Sequence, residues 1–102
     1  MVADDDPMAR DAIWLALTDK PWKTIYCADG FEAFEFCKNN EFDLAILDVN
    51  MPGPSGVEIC SWIKRQNLGV FTPVMLLTAE RKIEQKITGL NCGADEYLTQ
   101  IS

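Results

Sequence analysis

At 102 residues the chain is long enough for one small domain with a single core. A hydrophobic fraction of 48% and a charged fraction of 25% are those of an ordinary globular protein, and no apolar run has the length of a membrane span. A formal charge of -7 argues against direct contact with nucleic acid, whose phosphates demand a basic surface. No basic segment leads into an apolar core near Met1, so the pattern of a secretory signal is not expected, and a cytoplasmic location is. Histidine is absent, which removes imidazole general-base chemistry and most zinc or iron centres. Cys27, Cys37, Cys60 and Cys92 form no Cys-x-x-Cys pair and sit within apolar patterns, so buried, unbridged thiols in a reducing compartment are expected.

Met1 to Asp4 is predicted as a short strand. Asp6 is an N-cap followed by Pro7 at the first helical position, which predicts a helix to Leu17 with Ala9, Ile13, Ala16 and Leu17 inward. Thr24 to Ala28 is a second strand. Asp29 caps a helix running to about Asn39, with Ala33, Phe34 and Cys37 inward. Leu44 to Leu47 is a continuous apolar run, as in a strand covered on both faces. Met51 to Gly56 holds two prolines and two glycines and is predicted as a loop. Val57 to Arg65 is helical with Ile59, Cys60 and Ile63 inward, and Val74 to Leu77 is a second buried strand. Glu80 to about Leu90 is predicted as a fourth helix with Ile83, Ile87 and Leu90 on one face, and Asp95 to Thr99 as a fifth strand.

This alternation predicts an α/β three-layer sandwich, flavodoxin-like, with a five-stranded parallel sheet in the order 2-1-3-4-5. Ligands of such sheets bind beyond the carboxyl ends of the strands, where the strand order reverses. Asp4 and Asp5 fall at the end of the first strand, Asp48 at the end of the third and Thr78 at the end of the fourth. Taken singly, each also fits a turn or a cap, and Asp6 serves chiefly as a cap. Convergence at the ends of three adjacent strands points instead to a pocket. Several carboxylates at buried strand ends are costly unless neutralised, and a hard divalent cation such as Mg2+ does this for all of them at once. In this reading Asp5 and Asp48 ligate Mg2+, Asp4 reaches it through water, and the Asn50 carbonyl adds an oxygen. Asp48 is then a nucleophile able to form an aspartyl phosphate, with the Thr78 hydroxyl bonding the phosphoryl oxygen.

Four segments resemble one family, the receiver (CheY-like) domains of two-component response regulators. They are Val2-Ala3-Asp4-Asp5-Asp6-Pro7, Asp43-Leu44-Ala45-Ile46-Leu47-Asp48-Val49-Asn50-Met51-Pro52-Gly53, Pro73-Val74-Met75-Leu76-Leu77-Thr78-Ala79 and Gly93-Ala94-Asp95-Glu96-Tyr97-Leu98-Thr99. The resemblance runs from Val2 to Thr99. It implies that Asp48 is the phosphoacceptor, charged by a sensor histidine kinase or a phosphotransfer protein, and that Asp4, Asp5, Asp48 and the Asn50 carbonyl hold Mg2+. It further implies that Thr78 is the switch hydroxyl and Tyr97 the switch aromatic. Such a domain has no substrate turnover of its own beyond its phosphorylation and dephosphorylation.

The sequence departs from this family where a lysine and a proline are expected after the fifth strand. Gln100 and Ile101 stand there. Glutamine donates hydrogen bonds but brings no charge, and a charge-assisted bond is roughly twice as strong as a neutral one. Either the protein lacks this lysine or the sequence is altered near its end. Both ends also read as cut: the first strand is short, and no fifth helix follows the fifth strand. The expectation is a single receiver domain over residues 1–102 that is marginally stable or covers one sheet face by association; a homodimer and an output domain in a longer chain are the further partners to expect. Two other functions fit less of the pattern. One is a receiver-like interaction module that is not regulated by phosphate, favoured by Gln100. The other is an aspartate-dependent phosphohydrolase, disfavoured because Asn50 stands where such enzymes carry a second acid.

Overall fold

Five apolar runs pair side by side in parallel, in the spatial order β2-β1-β3-β4-β5. They are β1 (Val2–Ala3), β2 (Tyr26–Cys27), β3 (Ala45–Asp48), β4 (Val74–Ala79) and β5 (Glu96–Gln100). Among the described residues three helices connect or flank them: α1 (Pro7–Leu17), α2 (Gly30–Asn39) and α3 (Gly56–Gln66). This computed structural model describes residues 1–66, 71–79 and 92–100, the side chains of residues 79, 99 and 100 excepted. The fourth helix predicted over Glu80 to Leu90 lies outside the described residues, as does Ile101.

Alternation along the strands sorts the core into two layers. Ala3, Ala45, Leu47, Val74 and Leu76 point to one face, where α2 and α3 bury Ala33, Cys37, Ile59, Cys60 and Ile63 against them. Val2, Ile46 and Leu77 point to the other, under Ile13 and Leu17 of α1. Phe34 and Trp62 join α2 to α3 edge to face, with ring centroids 5.3 Å apart. The two faces are covered unequally. No residue of α1 is buried, and Ala16, expected inward, is exposed. The inward stripe of α1 narrows to Ile13 and Leu17, one helical turn apart, while Trp14 and Leu15 face solvent.

Strand boundaries differ from the sequence expectation where pairing, not hydrophobicity, decides. β1 and β2 shrink to two residues each because only Val2↔Tyr26 and Ala3↔Cys27 are in register. β4 runs two residues beyond Leu77 because β5 stays alongside it, pairing Thr78 with Thr99 and Ala79 with Gln100. The first helical residue of α3 is Gly56, expected in the preceding loop.

A half-buried ion pair ties α3 to the β4 and β5 edge. Lys64 Nζ donates to Asp95 Oδ2 at 2.6 Å and to the Thr72 carbonyl at 2.8 Å, and the Val74 N–H donates to the same Asp95 oxygen at 2.8 Å. Burial pushes the Asp95 carboxyl up, but Lys64 and the Val74 N–H outweigh it and hold the carboxyl below its usual range. Lys64→Met strands that carboxylate and is expected to cost ~1–3 kcal/mol, read by denaturant unfolding at pH 7. A depressed carboxyl adds stability above its unfolded pKa, so the difference between variant and wild type should shrink on acidification below the ordinary carboxylate range.

Candidate functional site

Asp4 directly follows β1, and its backbone keeps the sheet going for one more bond: the Asp4 N–H donates to the Cys27 carbonyl at 3.1 Å. Two contacts fix it. The Asp6 N–H donates to Asp4 Oδ1 at 2.9 Å, and Arg10 Nη1 donates to the Asp4 carbonyl at 2.6 Å. Asp4 is fully buried, while Asp5 is exposed beside it. Asp6 turns away to cap α1, accepting from the Met8 N–H at 3.0 Å, as its position before Pro7 predicts.

Asp48 ends β3 and is 8% exposed. Its Oδ1 accepts from the Asn50 N–H at 3.2 Å, an Asx-type turn that starts the loop into α3. The Val49 N–H donates to the Leu77 carbonyl at 2.8 Å, so the acidic end of β3 is held against β4. Carboxylate oxygens of Asp4, Asp5 and Asp48 all lie within 4.8 Å of one another. Burial, then the neighbouring Asp4 charge, push the Asp48 carboxyl up to about 7, against the opposing pull of the Asn50 N–H. Three carboxylates in this space form a hard, all-oxygen donor set with surplus negative charge, which fits an octahedral divalent cation that keeps several of its waters.

Thr78 is buried in β4, one residue beyond the Leu77 that pairs with Asp48. Tyr97 lies in β5 opposite Leu76 and packs against the larger core layer. Its hydroxyl is buried with no hydrogen-bond partner among the described residues. An unsatisfied buried hydroxyl costs ~1–3 kcal/mol, so Tyr97→Phe is expected to raise unfolding stability. An unchanged or lowered midpoint in urea would show that the hydroxyl is satisfied in solution. Gln100 is the last residue of β5, in register with Ala79 at the same edge of the sheet; its side chain lies outside the description. Asn50 is exposed, following Asp48 by two residues as the sequence spacing requires.

The fold thus brings Asp4, Asp5 and Asp48 together and sets Thr78 one strand away at the same carboxyl edge. Two residues that position this site escaped the sequence reading. Arg10 could not be singled out, because nothing in one sequence distinguishes a helix arginine that reaches back to a strand end from one that faces solvent. The sequence places Gly56 in a loop, yet its role is spatial: a β-carbon there would collide with the Asp48 carbonyl oxygen. The Gly-x-x-Gly spacing within a Pro/Gly loop was the available signal.

Comparison with known proteins agrees with this arrangement. The family model described as "Response regulator receiver domain" matches residues 1–100. The transcriptional regulatory protein TcrA of Mycobacterium tuberculosis is 37% identical over 100 residues, covering 98% of this chain and 39% of that protein. A putative response regulator from Chloroflexus aurantiacus superposes with a TM-score of 0.86 at 31% identity, covering 97% of this chain and 81% of that one. Response regulator TrrA from Thermotoga maritima, solved in complex with Mg2+ and BeF, superposes with a TM-score of 0.81 at 29% identity, covering 98% of this chain and 84% of that one. The chain spans less than half the length of the curated relatives it matches. Sequence, strand order and the family match converge: this chain belongs to the response regulator receiver domains of two-component signalling.

Proposed function

We propose that the domain is a phosphorylation switch in which Asp48 accepts a phosphoryl group from a phosphohistidine on a sensor histidine kinase or a phosphotransfer protein. The observation that carries this reading is the convergence of the Asp4, Asp5 and Asp48 carboxylates within 4.8 Å, with Asp48 buried at the strand end. The Asn50 N–H occupies Asp48 Oδ1 and turns the carboxyl, leaving its second oxygen as the attacking atom. That oxygen forms the new bond to phosphorus as the bond from phosphorus to the donor imidazole breaks, and the imidazole keeps the electron pair. Asp4, Asp5, Asp48 and the Asn50 carbonyl would hold Mg2+, which when bound offsets the repulsion between the carboxylate and the phosphoryl oxygens. TrrA, solved with Mg2+ and BeF, supports that choice of cation.

Thr78, one residue past the strand position paired with Asp48, would bond a phosphoryl oxygen. Its movement would leave room for Tyr97, whose buried hydroxyl has no partner to hold it among the described residues. The readout is a shift between two conformations at the β4 and β5 edge, not turnover of a substrate. In a longer chain that edge would address an output domain. No helix among the described residues is long and apolar enough to cross a membrane, which fits a cytoplasmic partner of a sensor kinase. Beryllofluoride with Mg2+ should give a bound 19F resonance on the wild-type protein and none on Asp48→Asn. Its absence from the wild type would overturn the reading.

Gln100 favours a second reading, a receiver-like module whose partner binding does not depend on phosphate. No fixed lysine charge stands at that position to pair with the phosphoryl group. Binding of a partner with equal affinity with and without phosphodonor would support it.

A further inference from the structure

Away from the acidic pocket, two cysteines form a second reactive cluster between α3 and the segment that enters β5. Cys60 is fully buried on α3. Its Sγ donates to the Cys92 carbonyl at 3.7 Å, which sets the two residues side by side. The backbone N–H groups of Ala94 and Cys92 and the Lys64 charge all favour the ionised form of the Cys92 thiol. Gly93, with φ +93°, lets the chain turn back between Cys92 and Ala94. Donors converging on a sulfur beside a cation are the surroundings in which a thiol ionises and becomes nucleophilic. The neighbouring Cys60 thiol is the largest cause drawing the Cys92 thiol below its ordinary range, while Cys92 and burial push Cys60 up.

Access differs in the same sense. Cys92 is half-buried and lines a surface cavity of about 570 Å³ together with Val57, Trp62 and Arg65. Cys60 is fully buried in the core. No disulfide joins any of the four cysteines. Cys27 and Cys37 are buried elsewhere in the core, with thiols pushed up by burial, Cys37 to about 12.

We propose that Cys60 and Cys92 are a hydroperoxide-sensitive thiol pair, with Cys92 the attacking sulfur and Cys60 the resolving one. The Cys92 thiolate attacks the terminal oxygen of ROOH. A sulfur–oxygen bond forms, the O–O bond breaks, and the alcohol ROH leaves after protonation, giving a sulfenic acid on Cys92. The Cys60 sulfur then attacks the Cys92 sulfur. The S–S bond forms as the S–O bond breaks, and hydroxide leaves with the Cys60 proton as water. Two thiols are oxidised by two electrons, and the hydroperoxide is reduced to alcohol and water. The bridge fastens α3 to the entry of β5, independently of any phosphoryl chemistry at Asp48.

The test is limited treatment of the full chain with hydrogen peroxide, followed by alkylation and peptide mass mapping without reductant. The expected product is a Cys60–Cys92 linked peptide pair lacking two hydrogens, reversed by dithiothreitol, and a higher melting temperature before reversal. With Cys60→Ala, dimedone should trap a sulfenic acid on Cys92. Wild-type protein in which Cys92 stays reduced, bridges two chains instead, or oxidises no faster than Cys27 and Cys37 would overturn the proposal. The wild-type map decides the matter even if the variant fails to fold.

Discussion

Asp48→Asn is expected to abolish modification by phosphodonors and, in the absence of metal, to make the domain more stable at pH 8. The Asp48 carboxyl is raised to about 7 in the folded protein, first by burial and then by the charge of Asp4. Between the ordinary carboxylate range and that value, the folded state holds a proton that the unfolded state releases. The group therefore costs stability progressively as pH rises through this window. Asparagine keeps the shape and one acceptor for the Asn50 N–H but carries no charge, so the cost disappears. In a domain of this size each ~1 kcal/mol of relieved repulsion is worth roughly 4–8 °C in melting temperature. At pH 5 the gap should be smaller, and it should close only as pH falls to the ordinary carboxylate range. Mg2+ acts in the opposite sense. It displaces the proton, so its stabilisation of the wild type should grow with pH over the same window and be largely lost in Asp48→Asn. Thermal scans at the two pH values with Mg2+ or EDTA check each part. Equal melting temperatures at pH 8 without metal would refute the electrostatic argument.

Gly56→Ala is expected to cost stability and to damage the acidic site together. Gly56 opens α3 against the backbone of Asp48, and the Gly56 N–H donates to the Val49 carbonyl at 3.2 Å. A β-carbon would press on the Asp48 carbonyl oxygen and on Val49, both backbone groups locked in β3 and its turn. Alanine favours helices, so propensity alone would make the change stabilising by about 1 kcal/mol. Overpacking against backbone reverses the sign, with a net loss of ~3 kcal/mol. Relief by moving α3 would also move the Asp48 turn, so Mg2+ affinity should fall with stability. Denaturant unfolding and Mg2+ titration on one preparation check both. A stabilised variant with intact Mg2+ binding would show that α3 yields without disturbing Asp48.

These positions mark how far the sequence alone was legible. The strand order and the convergence of Asp4, Asp5 and Asp48 follow from alternating apolar runs and from where acidic residues interrupt them. Asp6 and Asp29 were readable as caps because capping is a local contact, and both side chains accept the bonds that local geometry demands. What stayed hidden is long-range. Gly56 looked like a loop glycine until the helix behind it was placed against Asp48. The Lys64 and Asp95 pair joins residues far apart in the chain, and no sequence spacing links them. Its apolar neighbours predict a buried, unbridged Cys92; it is half-buried, packed at the margin of the core and lining a surface cavity. Ala16 was expected inward because helical spacing gives a stripe but not its width, which depends on how much of the sheet face α1 covers.

A phosphoacceptor Asp48 served by an acidic cation site, even with glutamine at position 100, takes a phosphoryl group directly from a small donor. Incubation with acetyl phosphate, with Mg2+ or EDTA, followed by intact mass measurement, tests it most directly. The expected result is a mass gain of one phosphoryl group that requires Mg2+, maps to Asp48 and is absent from Asp48→Asn. An unmodified wild-type protein in Mg2+, or a gain that survives Asp48→Asn, would contradict it.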